Sequence, residues 1–228
     1  MASKASDAPR FFVLESGGPQ SRYDAEVEPV EPVNCGDAPR CPRCDDVIGM
    51  IPWLPPYRAE LELYGEELAD FIRCPGYEWL ISERFAEAFR AEKLIGLEGF
   101  HPVEIVRVRC KRRRLRKPLT ATPYYVVSPC FGRAMVDPML NRAQVSAPPI
   151  CPECRSTGID AIHGIVLELG TWSGEDIFRP RGMPGDLVVT ERFKDFIERH
   201  QLTNMQLTPA EHFVWDPSNL GPAPLPTA

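Results

Sequence analysis

Two cysteine pairs carry the clearest chemistry in this sequence. Cys41 and Cys44 stand in the stretch CPRC, and Cys151 and Cys154 stand in CPEC in the second half of the chain. Two thiolates at this spacing can point from one tight turn toward a single ion, and two such turns complete a tetrahedral set of four ligands. The pairs therefore predict one structural zinc ion per chain, with no coordination position left for catalysis.

The other cysteines and the histidines show no pattern typical of an enzyme. The 4 histidines form no HExxH motif, and none stands beside a cysteine in a recognisable nucleophile motif. We interpret Cys74, Cys110 and Cys130 as core or sheet residues and Cys35 as a loop thiol. We therefore expect a protein that is not an enzyme, and an enzyme using Cys130 or a histidine stays the less favoured alternative.

The composition indicates a globular protein. The 228 residues are 43% hydrophobic and 25% charged, enough for one large domain or two small ones with a genuine core. No apolar run reaches the length of a membrane helix, and the N-terminus lacks the apolar segment of a secretory signal. We expect a cytoplasmic protein without a membrane partner, where cysteines stay reduced or bind metal.

The chain also contains an internal repeat. The segments 79–104 and 187–211 share a short apolar run, a Ser or Thr, the letters ERF, an amphipathic stretch and Pro-x-Glu, at nearly the offset of the cysteine pairs. This similarity predicts two related halves, 10–128 and 129–216, between flexible termini at 1–9 and 217–228.

The repeated segment predicts one short helix in each half. Ser82 and Thr190 are good helix N-caps, and apolar residues follow at helical spacing. The residues expected to face the core are Phe85, Ala88, Phe89, Phe193, Phe196 and Ile197. The strand candidates are RFFVLES, AELELY, YEWLI, HPVEIVRVRC, PYYVVSP, GIVLELG and DLVV. The fold class predicted is α+β, with mainly antiparallel sheet and a zinc-ribbon-like site of four cysteines joining the halves.

These motifs together resemble the myxobacterial double-CXXCG motif family, to which Sit-type immunity proteins belong. The similar parts are CPRC followed by IPWLPPYRAELEL, and CPEC followed by the ending DLVVTERFKDFIERHQLTNMQLTPAE, within residues 10–216. The resemblance implies a cytoplasmic protein that binds and neutralises a cognate toxin. The chain departs from the family at Asp45 and Arg155, which stand where the family has glycine, and Gly158 is a candidate for the second turn.

Two stretches are candidates for a partner-binding surface. The basic stretch 107–117 includes Arg112, Arg113, Arg114 and Arg116, and the Pro-rich stretch IPWLPPY holds Trp53 and Tyr57. The basic stretch fits a solvated edge of a sheet, a docking surface for an acidic partner, or a nucleic-acid-binding hairpin. The formal net charge of −6 makes nucleic acid the less favoured partner. Trp53 and Tyr57 fit either a contact surface or a cap over the core.

Overall fold

The described part of the chain is rich in sheet and contains two short α-helices. A computed structural model describes residues 9–18, 21–74, 76, 78–111, 122–137 and 140–224. The helices are α1 (Glu83–Ala91) and α2 (Glu191–His200), and a short 3-10 helix spans Ala210–His212. The strands are β1 (Phe11–Ser16), β2 (Ala25–Pro29), β3 (Asn34–Cys35), β4 (Trp53–Leu54), β5 (Arg58–Leu63), β6 (Phe71–Arg73), β7 (Trp79–Ser82), β8 (Leu97–Cys110), β9 (Tyr124–Pro129), β10 (Phe131–Met135), β11 (Gln144–Val145), β12 (Ile159–His163), β13 (Ile177–Arg181), β14 (Val188–Thr190), β15 (Met205–Pro209) and β16 (Val214–Trp215).

Two large sheets contain most of the strands. One has six strands in the order β2-β5-β8-β9-β7-β6, and the other has five in the order β10-β13-β14-β1-β15. The described strand pairs are antiparallel except for β5 with β8 and β10 with β13. The sheet is therefore mainly antiparallel, as the alternating patterns predict. The strands β3-β4 and β11-β12-β16 form two smaller sheets.

One strand candidate was wrong. The stretch GIVLELG, 164–170, forms no strand, and its pairing consists of one isolated bridge between Leu167 and Val136. Gly164 and Gly170 at its ends have φ of +97° and +78°, and Leu169 is 89% exposed. Positive φ turns the backbone out of the extended region, so an alternating apolar pattern bounded by such glycines does not continue as a strand.

The two large sheets share one local arrangement of four strands. The strands β6-β7-β9-β8 of the first sheet correspond to β13-β14-β1-β15 of the second. In each set the helix-capping residue lies opposite the first aromatic residue of the central strand, Ser82 opposite Tyr124 and Thr190 opposite Phe11. On its other side, the central strand of each set pairs with a strand that places a proline opposite the second residue of the central strand. These pairs are Pro102 with Tyr125 and Pro209 with Phe12. The sequence repeat therefore has a counterpart in strand register.

The place of β1 differs from what the sequence repeat suggests. This strand is first in the chain, yet it pairs with β14 and β15 and takes the position that β9 takes in the first sheet. The predicted limits 10–128 and 129–216 thus separate the repeated segments but not the two sheets. The N-terminal strand holds the two halves together through backbone hydrogen bonds.

Both helices begin where the sequence predicts. The side chains of Ser82 and Thr190 accept hydrogen bonds from the backbone N–H groups of Phe85 and Phe193, each at 3.3 Å. An N-cap satisfies one of the unpaired donors of the first turn. The two N-cap predictions are therefore confirmed.

The apolar faces of the two helices share one core. Phe85 of α1 lies 5.6 Å, between ring centroids, from Phe196 of α2, and Phe89 lies 6.2 Å from the same ring. Both rings meet Phe196 edge-on, a favourable geometry for aromatic pairs. The surrounding cluster takes residues from both sheets and from the adjoining loops: Phe12, Leu14, Phe71, Trp79, Ile81, Leu97, Val127, Ile177, Leu187, Val189 and Leu202. Each half thus covers the core face of the other.

A buried aspartate in the first half binds groups from both halves. Asp70 accepts hydrogen bonds from the Ser82 hydroxyl at 2.6 Å and from Arg84 Nε at 2.7 Å. It also accepts the backbone N–H of Thr203, after α2, at 2.8 Å. Arg84 then donates to the carbonyl oxygen of His200 at 3.0 Å, at the end of α2.

The second half repeats these contacts in the opposite direction. Asp176 accepts from the Thr190 hydroxyl at 3.3 Å, from Arg192 Nη1 at 2.9 Å and from the backbone N–H of Ile95 at 3.0 Å. Arg192 donates to the carbonyl oxygen of Glu92 at 2.6 Å, at the end of α1. Each half therefore makes the same hydrogen bonds to the other half, like the contacts across a two-fold axis. The two aspartates begin the matching stretches DFIRCPG and DIFRPRG, and the two arginines are those of the repeated letters ERF.

We predict that Asp70→Asn destabilises the protein by about 2 kcal/mol, because it removes a buried charge that accepts several charge-assisted hydrogen bonds. Urea unfolding followed by tryptophan fluorescence measures the change. The control Asp37→Asn alters an exposed side chain and should shift the unfolding free energy by less than about 0.5 kcal/mol. Equal changes in the unfolding free energy of the two variants would show that the hydrogen bonds of Asp70 contribute nothing to stability.

Candidate metal centre

The four cysteines of the two CPxC pairs lie together in the structure. The Sγ atoms of Cys41 and Cys151 are 3.9 Å apart, and those of Cys44 and Cys154 are 3.7 Å apart. All four sulfur atoms lie within 4.8 Å of one another. A zinc–sulfur distance of about 2.3 Å in a tetrahedron requires sulfur–sulfur separations of about 3.8 Å. The arrangement matches the size of a tetrahedral thiolate site and exceeds the roughly 2.05 Å of a disulfide.

The first cysteine turn is a small hairpin. The Asp45 backbone N–H donates to the Cys41 carbonyl at 2.9 Å, and the Cys41 N–H donates to the Asp46 carbonyl at 2.8 Å. Arg40 and Val47 form an antiparallel bridge that closes the hairpin. These local hydrogen bonds direct both thiolates to one side.

The second cysteine turn is fastened to the five-stranded sheet. Its backbone repeats the first turn, since the Arg155 N–H donates to the Cys151 carbonyl at 2.9 Å. Beyond that, the Gly182 N–H donates to the Cys154 carbonyl at 3.0 Å. Arg181, at the end of β13, donates to the Glu153 carbonyl at 3.1 Å and forms an ion pair with its carboxylate. The second turn is the anchored part of the site.

Both turns place a non-glycine residue in the left-handed region. Asp45 has φ of +62° and Arg155 has φ of +53°, at the positions directly after the second cysteine of each pair. Gly158, the candidate for the second turn, has no positive φ, so that prediction was wrong. The Arg155 side chain holds its backbone in place by donating to the Val136 carbonyl at 2.7 Å and to Glu168 at 2.6 Å.

Burial and backbone hydrogen bonds shift the pKa values of the thiols in opposite directions. Cys41, Cys151 and Cys154 are buried and Cys44 is exposed. A hydrogen bond from the Cys154 backbone N–H lowers the pKa of Cys151 to about 7, whereas burial raises the pKa of Cys154 to about 12. A bound cation would deprotonate all four thiols, because a coordinated thiol is held as the thiolate.

The donor set fits a structural metal ion. Four sulfur ligands in a tetrahedron select zinc or iron among the common metals. Phe131 and Ile48 pack against the cysteines and limit the access of water. Four protein ligands leave no open position, so the ion would supply stability and no Lewis-acid chemistry.

The remaining cysteines lie apart from this cluster. Cys35 is an exposed residue of β3, opposite Trp53 in β4. Burial raises the pKa of Cys130 to about 12 and raises the pKa of the buried Cys74 thiol above its ordinary value. Because the thiolate is the reactive form, these shifts favour the less reactive protonated thiol of both residues at neutral pH.

The aromatic residues proposed as a contact surface are part of the fold. Trp53 is only 7% exposed and belongs to the core cluster under the six-stranded sheet, so its prediction as a partner contact was wrong. Tyr57 is half-buried, packs edge-on against Trp53 at 5.3 Å and stacks on His101 at 5.1 Å. The two rings act as a cap over the core, the second of the two roles considered from the sequence.

The basic stretch is only partly described. Arg112, Arg113, Arg114 and Arg116 lie outside the described residues. Within β8, Arg109 forms an ion pair with Glu60 at 2.7 Å, and the following Lys111 pairs with Glu62 at 2.9 Å. The parallel pairing of β5 with β8 places these acidic and basic residues side by side. These two basic side chains are therefore neutralised by the protein itself.

Comparison with known proteins adds no family assignment. The chain matches no protein-family model, and it matches none of the curated proteins. The resemblance to the double-CXXCG family consequently depends on the motifs alone. Among the described residues, no helix is both long and apolar enough to cross a membrane.

We predict about one zinc ion per purified chain, measured by elemental analysis, and its loss in Cys41→Ser and in Cys154→Ser. One substitution lies in each half, so an equal loss of zinc in the two variants would show that a single ion binds to both cysteine turns. The control Cys35→Ser changes an exposed thiol outside the cluster and should retain the metal. Full metal content in Cys154→Ser would contradict the four-ligand site.

We also predict opposite effects of glycine at the two left-handed positions. Asp45→Gly should stabilise the metal-loaded protein by about 0.5 kcal/mol, because glycine adopts positive φ freely and the Asp45 side chain is 83% exposed. Arg155→Gly should destabilise it by about 1 kcal/mol, because it removes the hydrogen bonds to Val136 and Glu168. Urea midpoints of the two variants give the comparison, and shifts of the same sign would contradict this account.

Proposed function

We propose that the protein is an immunity protein that binds and neutralises a cognate bacterial toxin, with zinc in a structural role. The observation that supports this best is the closed cluster of four cysteines, formed by both CPxC motifs of the family resemblance. A metal enclosed by four protein ligands stabilises a scaffold and performs no chemistry. Neutralisation by binding needs such a scaffold and a complementary surface, and it needs no catalytic groups.

Of the metal ions that fit the four-cysteine site, we propose zinc. The four thiolates and the sulfur–sulfur distances suit tetrahedral zinc, and a single iron ion has the same ligand preference. Iron bound to four thiolates would colour the protein, so an absorption spectrum together with elemental analysis distinguishes the two. A cytoplasmic location is part of the proposal, because a reducing compartment keeps the 8 cysteines available as thiolates and thiols.

Nucleic-acid binding is the less favoured function. It would require unpaired basic side chains on one face, whereas Arg109 and Lys111 pair with acidic neighbours on β5. Glu26 and Glu28 of β2 add further negative charge on the same sheet, within 4.8 Å of Glu62. A phosphate backbone would therefore meet several carboxylates beside these basic residues.

The proposed function is tested with a toxin encoded beside this chain's gene. Cells that express the toxin should survive when they also express this protein, and the toxin should co-purify with it. A variant with Cys41→Ser and Cys154→Ser should protect fewer cells, since the metal site supports the fold. The control Cys35→Ser should protect fully. Cell death at undiminished expression of the intact protein, with no co-purification, would overturn the proposal for that toxin.

A further inference from the structure

Each cysteine turn lies beside a cavity, and the two cavities correspond to each other under the internal repeat. In both halves a short strand before the turn pairs with a strand after it, β3 with β4 and β11 with β12. Cys41 and Cys151 are 110 positions apart. At the same offset, the residues of the first cavity that match residues of the second are Val33 with Ala143, Cys35 with Val145, Ala38 with Pro148 and Val47 with Thr157.

The strand pairing supports this match. Cys35 lies opposite Trp53 in β4, and Val145 lies opposite Ile159 in β12. All four residues line their respective cavities. The correspondence therefore concerns the position in the fold as well as the position in the sequence.

In the second half, the chain itself supplies an apolar side chain to this place. Met183 lines the second cavity and is only 2% exposed. It belongs to the same core cluster as Ala143, and Ile159 packs against that cluster. The counterparts of these two residues in the first half are Val33 and Trp53. Met183 thus shows the kind of side chain that such a cavity accepts.

The cavity of the first half is the larger of the two. Its volume is about 460 Å³, whereas that of the second is about 290 Å³. The larger volume lies within the roughly 300–1,000 Å³ typical of ligand-binding clefts. The stretch 182–187, which carries Met183, also has two residues more than the corresponding stretch 76–79. The first half therefore keeps more of this space open.

The walls of the first cavity are apolar and reach the protein surface. Val47, Met50 and Ile51 line it and are 45%, 53% and 56% exposed. Cys35, another lining residue, is also exposed. Apolar side chains exposed around a concave site are typical of protein-binding surfaces, where an anchor side chain of the partner fills the concavity. The first cavity is therefore suited to an aliphatic side chain from outside.

Three carboxylates, which we call the rim carboxylates, lie next to lining residues of this cavity: those of Glu31, Asp37 and Asp46. Glu31 accepts the backbone N–H of Val33 at 3.2 Å, and Asp46 accepts that of Val47 at 3.0 Å. Both valines line the cavity. Asp37 is exposed and directly precedes the lining residue Ala38. Two of the three carboxylates are therefore fixed at the edge of the cavity by hydrogen bonds.

The basic residues near the rim leave an excess of negative charge. Arg40 forms an ion pair with Asp45, and Arg58 forms one with Glu104. Within the described part of the chain, none of the rim carboxylates forms an ion pair, and the exposed Arg43 of the cysteine turn opposes the three of them. Carboxylates in this state attract cations over roughly 8 Å at physiological ionic strength. An apolar anchor with lysine or arginine beside it is therefore complementary to the site in both shape and charge.

We propose that this cavity binds a partner protein through one aliphatic side chain, leucine or methionine, that is flanked in the partner's sequence by lysine or arginine. The aliphatic side chain contacts Val47, Met50 and Ile51, and its basic neighbours lie over the rim carboxylates. Burial of the aliphatic side chain supplies affinity, whereas the charges orient the segment. The inference rests on the proposed function and deepens it, because a toxin would be the partner that presents this anchor.

A peptide tests the chemistry without any toxin. The probe is the fluorescent peptide Lys-Lys-Leu-Lys-Lys, one control has serine in place of leucine, and a second has glutamate in place of every lysine. Fluorescence anisotropy at low salt should show saturable binding of the probe and none of the glutamate peptide. The serine peptide should bind about tenfold more weakly or worse, because the aliphatic contact is lost. Equal affinity of the leucine and serine peptides, or no binding of the probe, would overturn the proposal.

The exposed thiol of Cys35 reports whether the cavity is occupied. Saturating probe should slow the alkylation of Cys35 by iodoacetamide severalfold, because the bound leucine covers a wall of the cavity to which this thiol belongs. Mass spectrometry of the digested protein measures the rate. The half-buried Cys110 in β8 is the internal control, and its rate should not change. An unchanged rate at Cys35 would show that the peptide binds elsewhere and would reject the cavity.

Matched substitutions in the two halves test the location. Cys35→Phe fills part of the first cavity and should weaken binding of the probe about tenfold or more. The control Val145→Phe adds the same ring at the corresponding place in the second cavity and should weaken binding less than about twofold. Circular dichroism and zinc content verify the fold of both variants. Equal weakening would reject the cavity, and the alkylation experiment on the unaltered protein remains decisive if Cys35→Phe does not fold.

A second pair of variants tests the charges. Glu31→Lys with Asp37→Lys should weaken binding of the probe about tenfold, because two of the rim carboxylates become cations. The control Glu87→Lys with Glu98→Lys makes the same change in net charge at exposed residues in other elements, and should weaken binding less than about twofold. Equal weakening in the two double variants would reduce the effect to non-specific attraction and would contradict the rim.

The same variants separate this inference from the proposed function. With a toxin that the intact protein neutralises, Cys35→Phe should lose co-purification of the toxin, whereas Val145→Phe should retain it. Full protection by Cys35→Phe would reject the cavity and keep the immunity role. Binding of the probe combined with failed protection by the intact protein would reject the immunity role and keep the cavity.

Discussion

The packing of the two helices against each other is the constraint on which the rest of the structure depends. α1 and α2 have 9 and 10 residues, and helices of this length are not stable by themselves in water. The phenylalanine face of each helix packs partly against its own half and partly against the helix of the other half. Burying one such ring contributes about 1.5–3 kcal/mol, so each half is stabilised by its counterpart.

Two buried aspartates, one in each half, support the same packing of the helices. Asp70 and Asp176 are buried next to the N-caps of α1 and α2, where an isolated carboxylate would be costly. Each is compensated by an arginine from its own half and by a backbone N–H from the loop after the opposite helix. This arrangement allows hydrogen bonding only when the helices are in register, so the polar groups select the packing that the apolar faces favour.

The metal centre has a narrower role than the sequence suggests. From the two motifs alone, one ion would be expected to set the orientation of the halves. The shared core, β1 and the two aspartates already do so. The hydrogen bonds described around the first cysteine turn are local, whereas the second turn is fastened to β13 through Arg181 and Gly182. The ion would therefore fasten a small hairpin onto a preformed surface. The two halves also differ in extent, because the first sheet continues through β5 and β2 whereas the second continues through β10.

The sequence by itself determined the features that depend on near neighbours. The CPxC spacing indicates the candidate metal ligands, Ser82 and Thr190 indicate the helix starts, and the periodic phenylalanines indicate the buried faces, because each pattern acts within a few residues. Only the tertiary structure decided that β1 joins the second sheet, that β5 runs parallel to β8, and that Trp53 is buried. The left-handed backbone conformation of Arg155 also depends on the tertiary structure. Its side chain donates hydrogen bonds to Val136 and Glu168, which lie in other segments of the chain. Strand pairing and burial depend on which surfaces meet in the folded chain, and no local pattern contains that information.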